Sequence, residues 1–366
     1  MLRLATISAA GIAAAALLAP TLRAEDEPYL ALRTGLKCAQ CHINRTGGGG
    51  RTDFGSAWAQ TQLPARTLPF QRRALNDWIA IGLDLRARAS GAVSDVDPRT
   101  TVDMPEAQVQ IEARLVRNVL AVYLDQTVGP ERSFAREAFA LVERLPGNGY
   151  AKAGKLLLPY GLRIWDEQSF IRSLTGFTYS NPDVGFEVGF EPGPLSFALA
   201  LSNGGGGGVD ANSGKQVTGS AALVFPRFRL GVSGSHNSTP GNDRGMVAGF
   251  AGVQVGPVGL LGEADIILDS FDAQPDRDQF VGYVEGNLLV RQGVNLKVTY
   301  GYHDPTAGIR SGAPDLVEDQ RIRMRFGVEL FPVTFVQVSS FYTLLDDVPQ
   351  VTTDIDQVSL EVHLHF

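Results

Sequence analysis

Both cysteines of this chain lie in one short motif, Cys38-Ala39-Gln40-Cys41-His42. C-x-x-C-H is the attachment sequence of c-type haem. Each thiol can add to one vinyl group of the porphyrin, and the histidine that follows can ligate the iron. A disulfide or a thioredoxin-like pair would not require His42, and zinc would need a second Cys/His pair, which the sequence lacks nearby. The motif predicts a redox protein with one covalent haem c on Cys38 and Cys41, and with His42 as proximal iron ligand.

The N-terminus has the features of a secretory signal peptide. Met1-Leu2-Arg3 is positively charged, residues 12–18 are apolar, and Ala24 offers a cleavage site before Glu25. The apolar stretch is shorter than the ~20 residues that a membrane helix needs, and no later stretch approaches that length. We predict that residues 1–24 are removed on export, which takes the chain to the compartment where bacterial c-type haem is attached.

Residues 25–77 form the predicted haem segment, which is rich in loops and glycine and includes four consecutive glycines at 47–50. A segment of ~50 residues rarely builds an adequate hydrophobic core by itself. We therefore expect the haem to act as its core, or the rest of the chain to cover it.

From Trp78 onward, apolar and polar residues alternate in short stretches, as in residues 108–115, 321–326 and 357–366. Charged residues that alternate with aliphatic ones over ~10 residues are typical of a transmembrane β-barrel with a wet lumen, although soluble sandwiches and propellers also alternate. The connection lengths favour the barrel. Tight turns at 146–148, 192–193, 226, 256–257, 292–293 and 331–332 alternate with longer polar connections such as 91–105, 159–182, 204–214 and 304–317.

The sequence thus predicts an all-β fold, an outer-membrane β-barrel of about 16 antiparallel strands over residues 78–366, with the haem segment as a plug. The predicted strand starts are Ile79, Glu106, Asn118, Phe134, Gly149, Asp183, Pro194, Lys215, Arg227, Arg244, Pro257, Arg277, Gly293, Glu318, Pro332 and Ile355. With an even strand count, the first strand begins and the last strand ends on the same side of the membrane. We predict that this is the periplasmic side of a Gram-negative outer membrane, and that the tight turns also lie there. The N-terminus is then periplasmic.

The distal ligand of the iron is less well defined, because no Met or His lies between Ile43 and Asp103. His363 and His365 share the polar face of the last strand, about 7 Å apart. Either is a candidate distal ligand. Alternatively, both are ordinary interfacial residues, or the iron is five-coordinate. The remaining candidates are expected to face lipid or to lie far from the haem segment. They are Met324, His303, His236, Met104 and Met246.

Charged residues suggest further roles. Arg321, Arg323 and Arg325 could neutralise haem propionates or pair with lumenal carboxylates such as Glu263, Asp265 or Glu285. Carboxylates in the outward loops could concentrate divalent metal, or serve solubility and calcium bridging of lipopolysaccharide. These are Asp95, Asp97, Asp103, Asp272, Asp276, Asp278, Asp315, Glu318, Asp319, Asp346 and Asp347. The net charge of −7 and the absence of a basic stretch argue against nucleic acid as a partner.

The stretch Arg33-Thr34-Gly35-Leu36-Lys37 before the haem motif, and Asp53-Phe54-Gly55 after it, give the chain a resemblance to a known family. With the barrel that follows, and with residues 151–161 as a porin-type strand, the chain resembles the fused monohaem cytochrome c–porins of the outer membrane, known from iron oxidisers. The glycines at 47–50 replace the Pro/Leu-containing link expected there. The resemblance implies passage of electrons from extracellular Fe(II), or another reductant, to periplasmic c-type cytochromes.

The resulting expectation is an outer-membrane electron conduit in contact with lipid and lipopolysaccharide. Two alternatives stay open. The first is a passive diffusion porin in which the haem segment is a structural or sensory plug. The second is a conduit that runs outward to an extracellular acceptor, since the direction of flow depends on the potentials of the partners.

Overall fold

The computed structural model describes residues 27–93, 99–129, 133–210, 212–310, 312–316, 319–347 and 355–366. The predicted signal peptide, residues 1–24, lies outside the described residues. So do Asp95, Asp97 and Glu318 of the acidic loops. Within the described residues, no helix is long and apolar enough to cross a membrane.

Sixteen antiparallel strands form one closed barrel, in which each strand pairs with its sequence neighbours and the last strand pairs with the first. The strands are β1 (Ile79–Val93), β2 (Arg99–Val116), β3 (Leu120–Thr127), β4 (Phe134–Leu145), β5 (Gly149–Leu156), β6 (Asp183–Phe190), β7 (Leu195–Ser202), β8 (Gln216–Phe225), β9 (Phe228–Thr239), β10 (Asn242–Val255), β11 (Val258–Phe271), β12 (Arg277–Arg291), β13 (Val294–Asp304), β14 (Arg321–Leu330), β15 (Val336–Asp347) and β16 (Ile355–His365). The closing register runs from Asp84 opposite His365 to Val93 opposite Asp356. The predicted barrel of about sixteen strands is confirmed.

Alternation along the strands separates the two faces of the barrel wall. On β10, Met246, Ala248 and Phe250 are buried toward the lumen, whereas Val247 and Val253 are exposed on the outer face. Over the whole barrel, aliphatic side chains line the outside and most charged side chains of the strands are buried inside, as expected of a barrel in lipid, whereas β10 to β12 also bury apolar residues toward the lumen.

Predicted and observed strand starts coincide at β1, β4, β5, β6, β12 and β16. The largest error is β2, which begins at Arg99 and not at Glu106. Pro105 is predicted to end the loop 91–105. In the structure, the pairing of β1 with β2 shifts register between Arg86 and Arg88, and Pro105 lies in the resulting β-bulge. A proline that needs no ladder hydrogen bond is tolerated at a bulge, so most of the predicted loop 91–105 is strand.

The two ends of the barrel differ in their connections. Short turns join β2–β3, β4–β5, β6–β7, β8–β9, β10–β11, β12–β13 and β14–β15 at the tight-turn end, where the first strand begins and the last strand ends. The other end, the long-loop end, carries the longer connections, except that β9 and β10 are joined by two residues between Thr239 and Asn242. The predicted alternation of turn lengths is therefore confirmed with one exception.

Residues 27–77, here the plug segment, occupy the tight-turn end of the barrel. Most of residues 27–63 lie in the lumen, whereas residues 65–72 are exposed beside the turn between β14 and β15. The helices of the plug segment are α1 (Pro28–Thr34), α2 (Cys38–Cys41) and α3 (Asp53–Gln62). Tyr29 donates to Glu329 of β14 at 2.6 Å, and the backbone N–H of Gly50 donates to the hydroxyl of Tyr123 of β3 at 2.5 Å. Because one short segment bonds to strands on different sides of the barrel, it crosses the lumen.

A second insertion enters the lumen from the other direction. The connection between β5 and β6, residues 157–182 (here the inserted loop), carries the short helix α4 (Phe170–Ser173) and buries Tyr160, Ile171 and Phe177. Its apolar side chains and those of α1 form one buried cluster with lumenal residues of β10 to β12. The plug segment and the inserted loop thus share a hydrophobic core with the apolar part of the lumenal wall.

A buried polar network fixes the haem-motif end of the plug segment to the wall. Asn44 donates to Glu137 of β4 at 2.7 Å and accepts from Lys152 of β5 at 2.8 Å. Lys152 is also 3.0 Å from Glu187 of β6. Buried charges of this kind are stable only when each is paired and hydrogen-bonded, so the position of Asn44 is closely specified.

We expect Asn44→Ala to loosen the plug segment without opening the barrel. The change leaves Glu137 and Lys152 each short of one partner in a buried site, which costs about 1–3 kcal/mol. Hydrogen exchange of residues 38–55 should rise, while the heat-dependent gel mobility of the barrel should not change. The matched control is Thr61→Ala, which removes an exposed hydroxyl of α3 bonded only to its own helix. Equal exchange in the two variants would contradict this role for Asn44.

Candidate functional site

The cysteine motif forms one turn of helix on the plug segment. The backbone N–H of His42 donates to the carbonyl of Cys38 at 2.9 Å, and the side chain of Gln40 accepts from the N–H of Lys37 at 2.9 Å. Within the part of the chain that the structure describes, Cys38 and Cys41 are not joined in a disulfide. A helical turn keeps the two thiols and the imidazole close together, as attachment of a single porphyrin requires.

The loop that follows the motif, residues 43–52, folds back and forms hydrogen bonds with the helical turn. Ile43 donates its N–H to the carbonyl of Gly50 at 2.9 Å, and Thr52 donates to the carbonyl of Cys41 at 2.9 Å. The Thr52 side chain then caps α3 by accepting from the N–H of Gly55 at 3.0 Å. Gly55 itself lies against the Cys41 carbonyl, where no side chain would fit.

The glycines at 47–50 have a structural explanation. Gly47, Gly48 and Gly49 have φ angles of 96°, 83° and 66°, in the region that favours glycine. A Cβ on Gly48 would lie 2.8 Å from the ring of Tyr179, and a Cβ on Gly49 would lie 2.8 Å from the hydroxyl of Tyr123. The four glycines therefore let this loop pass close to Tyr123 of the barrel wall and Tyr179 of the inserted loop. The sequence alone does not reveal this role.

Cys38, Cys41 and His42 line a cavity inside the barrel, here the motif cavity, with about 1270 Å³ of empty space including its opening. Its walls are mainly apolar. They include Leu30, Ala31, Trp58, Tyr160, Leu162, Ala198, Val224 and Phe250. Ligand sites are typically concave and mostly apolar, with a few polar groups that fix orientation. The cavity therefore suits a large, flat apolar group held at the motif.

Two arginines add positive charge to the motif cavity. Arg163 donates to the backbone carbonyls of Gly47 and Leu158, and Arg229 donates to the carbonyl of Leu36 at 3.0 Å. The Nε of each is buried with no hydrogen-bond partner. Among the described residues, neither arginine has a carboxylate at salt-bridge distance. Such side chains beside an apolar cavity fit an apolar ligand that carries its own carboxylates, as haem does through its propionates.

The arginines of β14 have a different partner from the predicted ones. Arg323 and Arg325 pair with Asp166 of the inserted loop, with Arg325 at 2.8 Å, and not with Glu263, Asp265 or Glu285. The prediction was wrong because it considered only strand residues, whereas the inserted loop brings Asp166 across the lumen. Burial raises the pKa of Asp166, but the two arginines outweigh this and hold the pKa below its usual range.

A second, more polar cavity, with about 1490 Å³ of empty space including its opening, lies beside the inserted loop. It is lined by basic side chains of the wall and by acidic ones of the wall and the loop. These include Arg88, Arg136, Lys297, Arg323, Arg325, Glu106, Asp166, Glu167, Glu329 and Glu361. Only Glu27 and Tyr179 are common to the linings of the two described cavities. The plug segment and the inserted loop thus divide the described lumen into an apolar and a polar compartment.

The two candidate distal ligands lie apart from the motif cavity. His363 is buried, with Nε2 2.8 Å from Asp84 and Nδ1 3.4 Å from Gln337. The ring of His365 packs 5.2 Å from that of His363. Neither lines the motif cavity, whose described lining contains no histidine except His42 and no methionine. Distal ligation by His363 or His365 stays a prediction.

The remaining candidates can also be placed. His303 is buried and lies 3.1 Å from Gln279, and Met246 is buried in the lumenal core, away from the motif cavity. Met324 lies between Ile322 and Phe326 on β14, and Phe326 is exposed on the outer face, as the lipid-facing assignment expects. Met104 belongs to β2 and not to a loop.

Four of the described acidic loop residues are paired with neighbouring side chains. Asp276 and Asp278 both contact Arg310, Asp103 pairs with Arg88, and Asp319 accepts from Thr306. No group of three or more His, Cys, Asp or Glu among the described residues could hold a metal ion. The side chains of Asp346 and Asp347 are outside the described set. The geometry gives the predicted loop iron site no support.

Solved structures similar to this chain are outer-membrane barrels. A loop L8 deletion mutant of OmpT from Vibrio cholerae superimposes with a TM-score of 0.63 and 13% identity, covering 79% of this chain and 99% of that one. An anion-selective porin from Comamonas acidovorans gives 0.61 and 9%, covering 79% and 99%. The channel DcaP of Acinetobacter baumannii gives 0.58 and 9%, covering 79% and 97%. No family model and no curated protein matches the sequence. At these identities the likeness shows a porin-like fold, that of Gram-negative outer-membrane proteins.

We expect Gly48→Ala to disturb the motif loop. A side chain at φ +83° costs roughly 1–2 kcal/mol, and its Cβ would also press on Tyr179. Urea unfolding of the plug segment, followed by the fluorescence of Trp58, should shift to lower urea. Gly205→Ala is the control, because a Cβ there meets open space. A midpoint as high as that of the control would contradict the proposed close approach.

Docking of α1 should weaken as pH rises. Burial, with the repulsion of Glu285 and Glu329, raises the pKa of Glu27 from 4.5 to about 7, although Lys297 opposes this. Since the pKa is raised on folding, the stabilisation is complete below pH 4.5 and is lost as pH rises through about 7. The urea midpoint for unfolding of the plug segment in the wild type should be close to that of Glu27→Gln at pH 6 and should be lower than it at pH 8. A constant difference would contradict the raised pKa.

Proposed function

We propose that this protein is an outer-membrane electron conduit with one haem c bound covalently through Cys38 and Cys41 and ligated by His42. It passes electrons between an extracellular donor, Fe(II) or another reductant, and a periplasmic c-type cytochrome. The observation that carries the proposal is the position of the C-x-x-C-H turn, whose three side chains line an apolar cavity enclosed by the barrel. A C-x-x-C-H sequence that occurred by chance on the surface of a barrel would not be expected to line an apolar cavity.

The residues around the motif fit the proposed group. The apolar wall would cover the porphyrin, and the half-buried Arg163 and the buried Arg229 would offer guanidinium groups to carboxylates. When bound, the haem would supply a one-electron Fe(III)/Fe(II) couple. The plug segment fixes the motif inside the barrel, and the inserted loop covers it from the side of the polar cavity.

The membrane makes such an arrangement useful. A hydrocarbon layer offers no polar or charged site, so an electron can cross only on a carrier held within protein. The barrel surrounds the motif cavity with a closed wall, and its outer aliphatic face suits outer-membrane lipid and lipopolysaccharide. We assign the tight-turn end to the periplasm, which places the plug segment near a periplasmic cytochrome.

The polar cavity is suited to a hydrated extracellular donor. Its acidic and basic side chains are paired with one another, as Arg325 is with Asp166 at 2.8 Å and Lys297 with Glu329 at 3.1 Å. A small hydrated ion would therefore meet a polar, charge-balanced surface up to the inserted loop, and the electron alone would pass the loop to the motif cavity. The reverse flow, outward to an extracellular acceptor, would use the same path.

A passive diffusion porin is the second candidate, because the polar cavity is large and the similar solved structures include an anion-selective porin. In that case the plug segment would be structural or sensory. Planar-bilayer conductance separates the two: a diffusion porin passes ions and small solutes, whereas a plugged conduit gives little current.

We expect vesicles that contain the protein in the outward orientation to reduce an entrapped cytochrome c when Fe(II) is added outside. The double variant Cys38→Ser/Cys41→Ser should abolish this reduction, because the carrier is no longer attached, while the barrel still assembles. Gel mobility with and without heating checks the assembly. Reduction at the same rate by the double variant, or no reduction by a haem-bearing wild type, would contradict the proposal for Fe(II).

A further inference from the structure

Glu263 and Asp265 form a pair of carboxylates behind the wall of the motif cavity. They stand two residues apart on the lumenal face of β11, with Cα atoms separated by about 6.6 Å. Glu263 is 4% exposed and Asp265 is 0% exposed. Two acidic side chains are therefore buried side by side inside the barrel.

Each carboxylate is bonded to a residue that lines the motif cavity. Glu263 accepts from the backbone N–H of Leu162, and Asp265 accepts from the hydroxyl of Tyr160 at 3.0 Å. Leu162, Tyr160 and the intervening Gly161 all line the cavity. Gly161 packs so close to Glu263 that a Cβ would strike its carboxylate. One layer of the inserted loop thus separates the pair from the cavity.

Neither carboxylate has a cation at salt-bridge distance among the described residues. Their second oxygens, Oε1 of Glu263 and Oδ2 of Asp265, are buried with no hydrogen-bond partner. Other buried acids of the wall are paired, as Glu187 is with Lys152 at 3.0 Å. Two unpaired carboxylates in a low-dielectric site cannot both stay ionised without a large cost, and binding a proton relieves it.

The groups that face the pair from neighbouring elements do not neutralise it. The inserted loop contributes Tyr160 and the buried Arg172 of α4, which acts on both carboxylates from beyond salt-bridge distance. From β12, Tyr283 donates its hydroxyl to Glu285 at 2.6 Å and not to the pair. The residues opposite on β10, Phe250 and Ala248, are apolar.

We propose that the Glu263–Asp265 pair, which shares one proton before reduction, takes up a second proton from lumenal water when one electron enters the motif cavity. The inference rests on the proposed function. An added electron makes the cavity more negative, which increases the proton affinity of carboxylates only one layer away. The electron stays on the cavity's redox group, reducing it by one unit. The proton passes from hydronium to one carboxylate oxygen of the pair, so the net charge of the site is unchanged.

The test is a spectroelectrochemical titration of the detergent-purified full chain from about pH 5 to about pH 9. Uptake of one proton per electron lowers the midpoint potential by about 59 mV per pH unit, the shift that a tenfold change in proton concentration gives a one-electron couple. Glu263→Gln combined with Asp265→Asn should remove this slope. Glu285→Gln is the matched control and should keep it, since Glu285 already accepts from Tyr283 and Asn287.

Redox-difference infrared spectroscopy of the wild type gives a second readout that does not depend on the variants folding. Reduction should produce a carboxylic acid C=O band that shifts in D₂O. A flat potential, a slope that survives the double change, or no such band would overturn the inference and leave the conduit intact. A chain with no covalent haem would overturn the proposed function, and the inference with it.

Discussion

The structure depends on the closure of its hydrogen-bond ladder, in which β16 pairs with β1 over ten residue pairs from Asp84–His365 to Val93–Asp356. In a hydrocarbon layer, every backbone N–H and C=O must find a partner within the protein, and a closed barrel achieves this without an edge strand. Closure also decides where side chains go. Aliphatic residues face lipid, so charged residues must face a lumen that the chain then fills with its own segments.

That filling explains why the lumen has two characters. The apolar faces of α1 and the inserted loop bury one another and the lumenal residues of β10 to β12. Elsewhere, buried charges are paired across the lumen, as with Lys297 between Glu27 and Glu329 at 2.9 and 3.1 Å. Such networks position groups more than they stabilise the fold, since desolvation offsets most of the attraction. Their effect here is to place the C-x-x-C-H turn, the inserted loop and the unpaired Glu263–Asp265 carboxylates around one cavity.

Much of the fold could be predicted from the sequence, because period-2 alternation and turn length are local signals. The strands of residues 321–330 and 355–365 show this clearly. Pro105 misled the prediction, since a bulge depends on the neighbouring strand. The motif cavity could not be predicted, because Tyr160, Leu162 and Arg163 reach it from a loop whose path depends on tertiary packing. Likewise, nothing local shows that the glycines at 47–50 pass Tyr123 and Tyr179. The haem-attachment motif could be identified from the sequence because all its functional side chains lie within five consecutive residues.

The proposed conduit requires one haem c on the motif inside the barrel. Its presence is measured by the alkaline pyridine spectrum of the purified chain after denaturation and acid–acetone extraction, which removes haem that is not covalently bound. We expect one c-type haem per chain, and none in the Cys38→Ser/Cys41→Ser variant. A wild-type chain with no haem absorbance after extraction would rule out the conduit and leave a plugged, porin-like barrel.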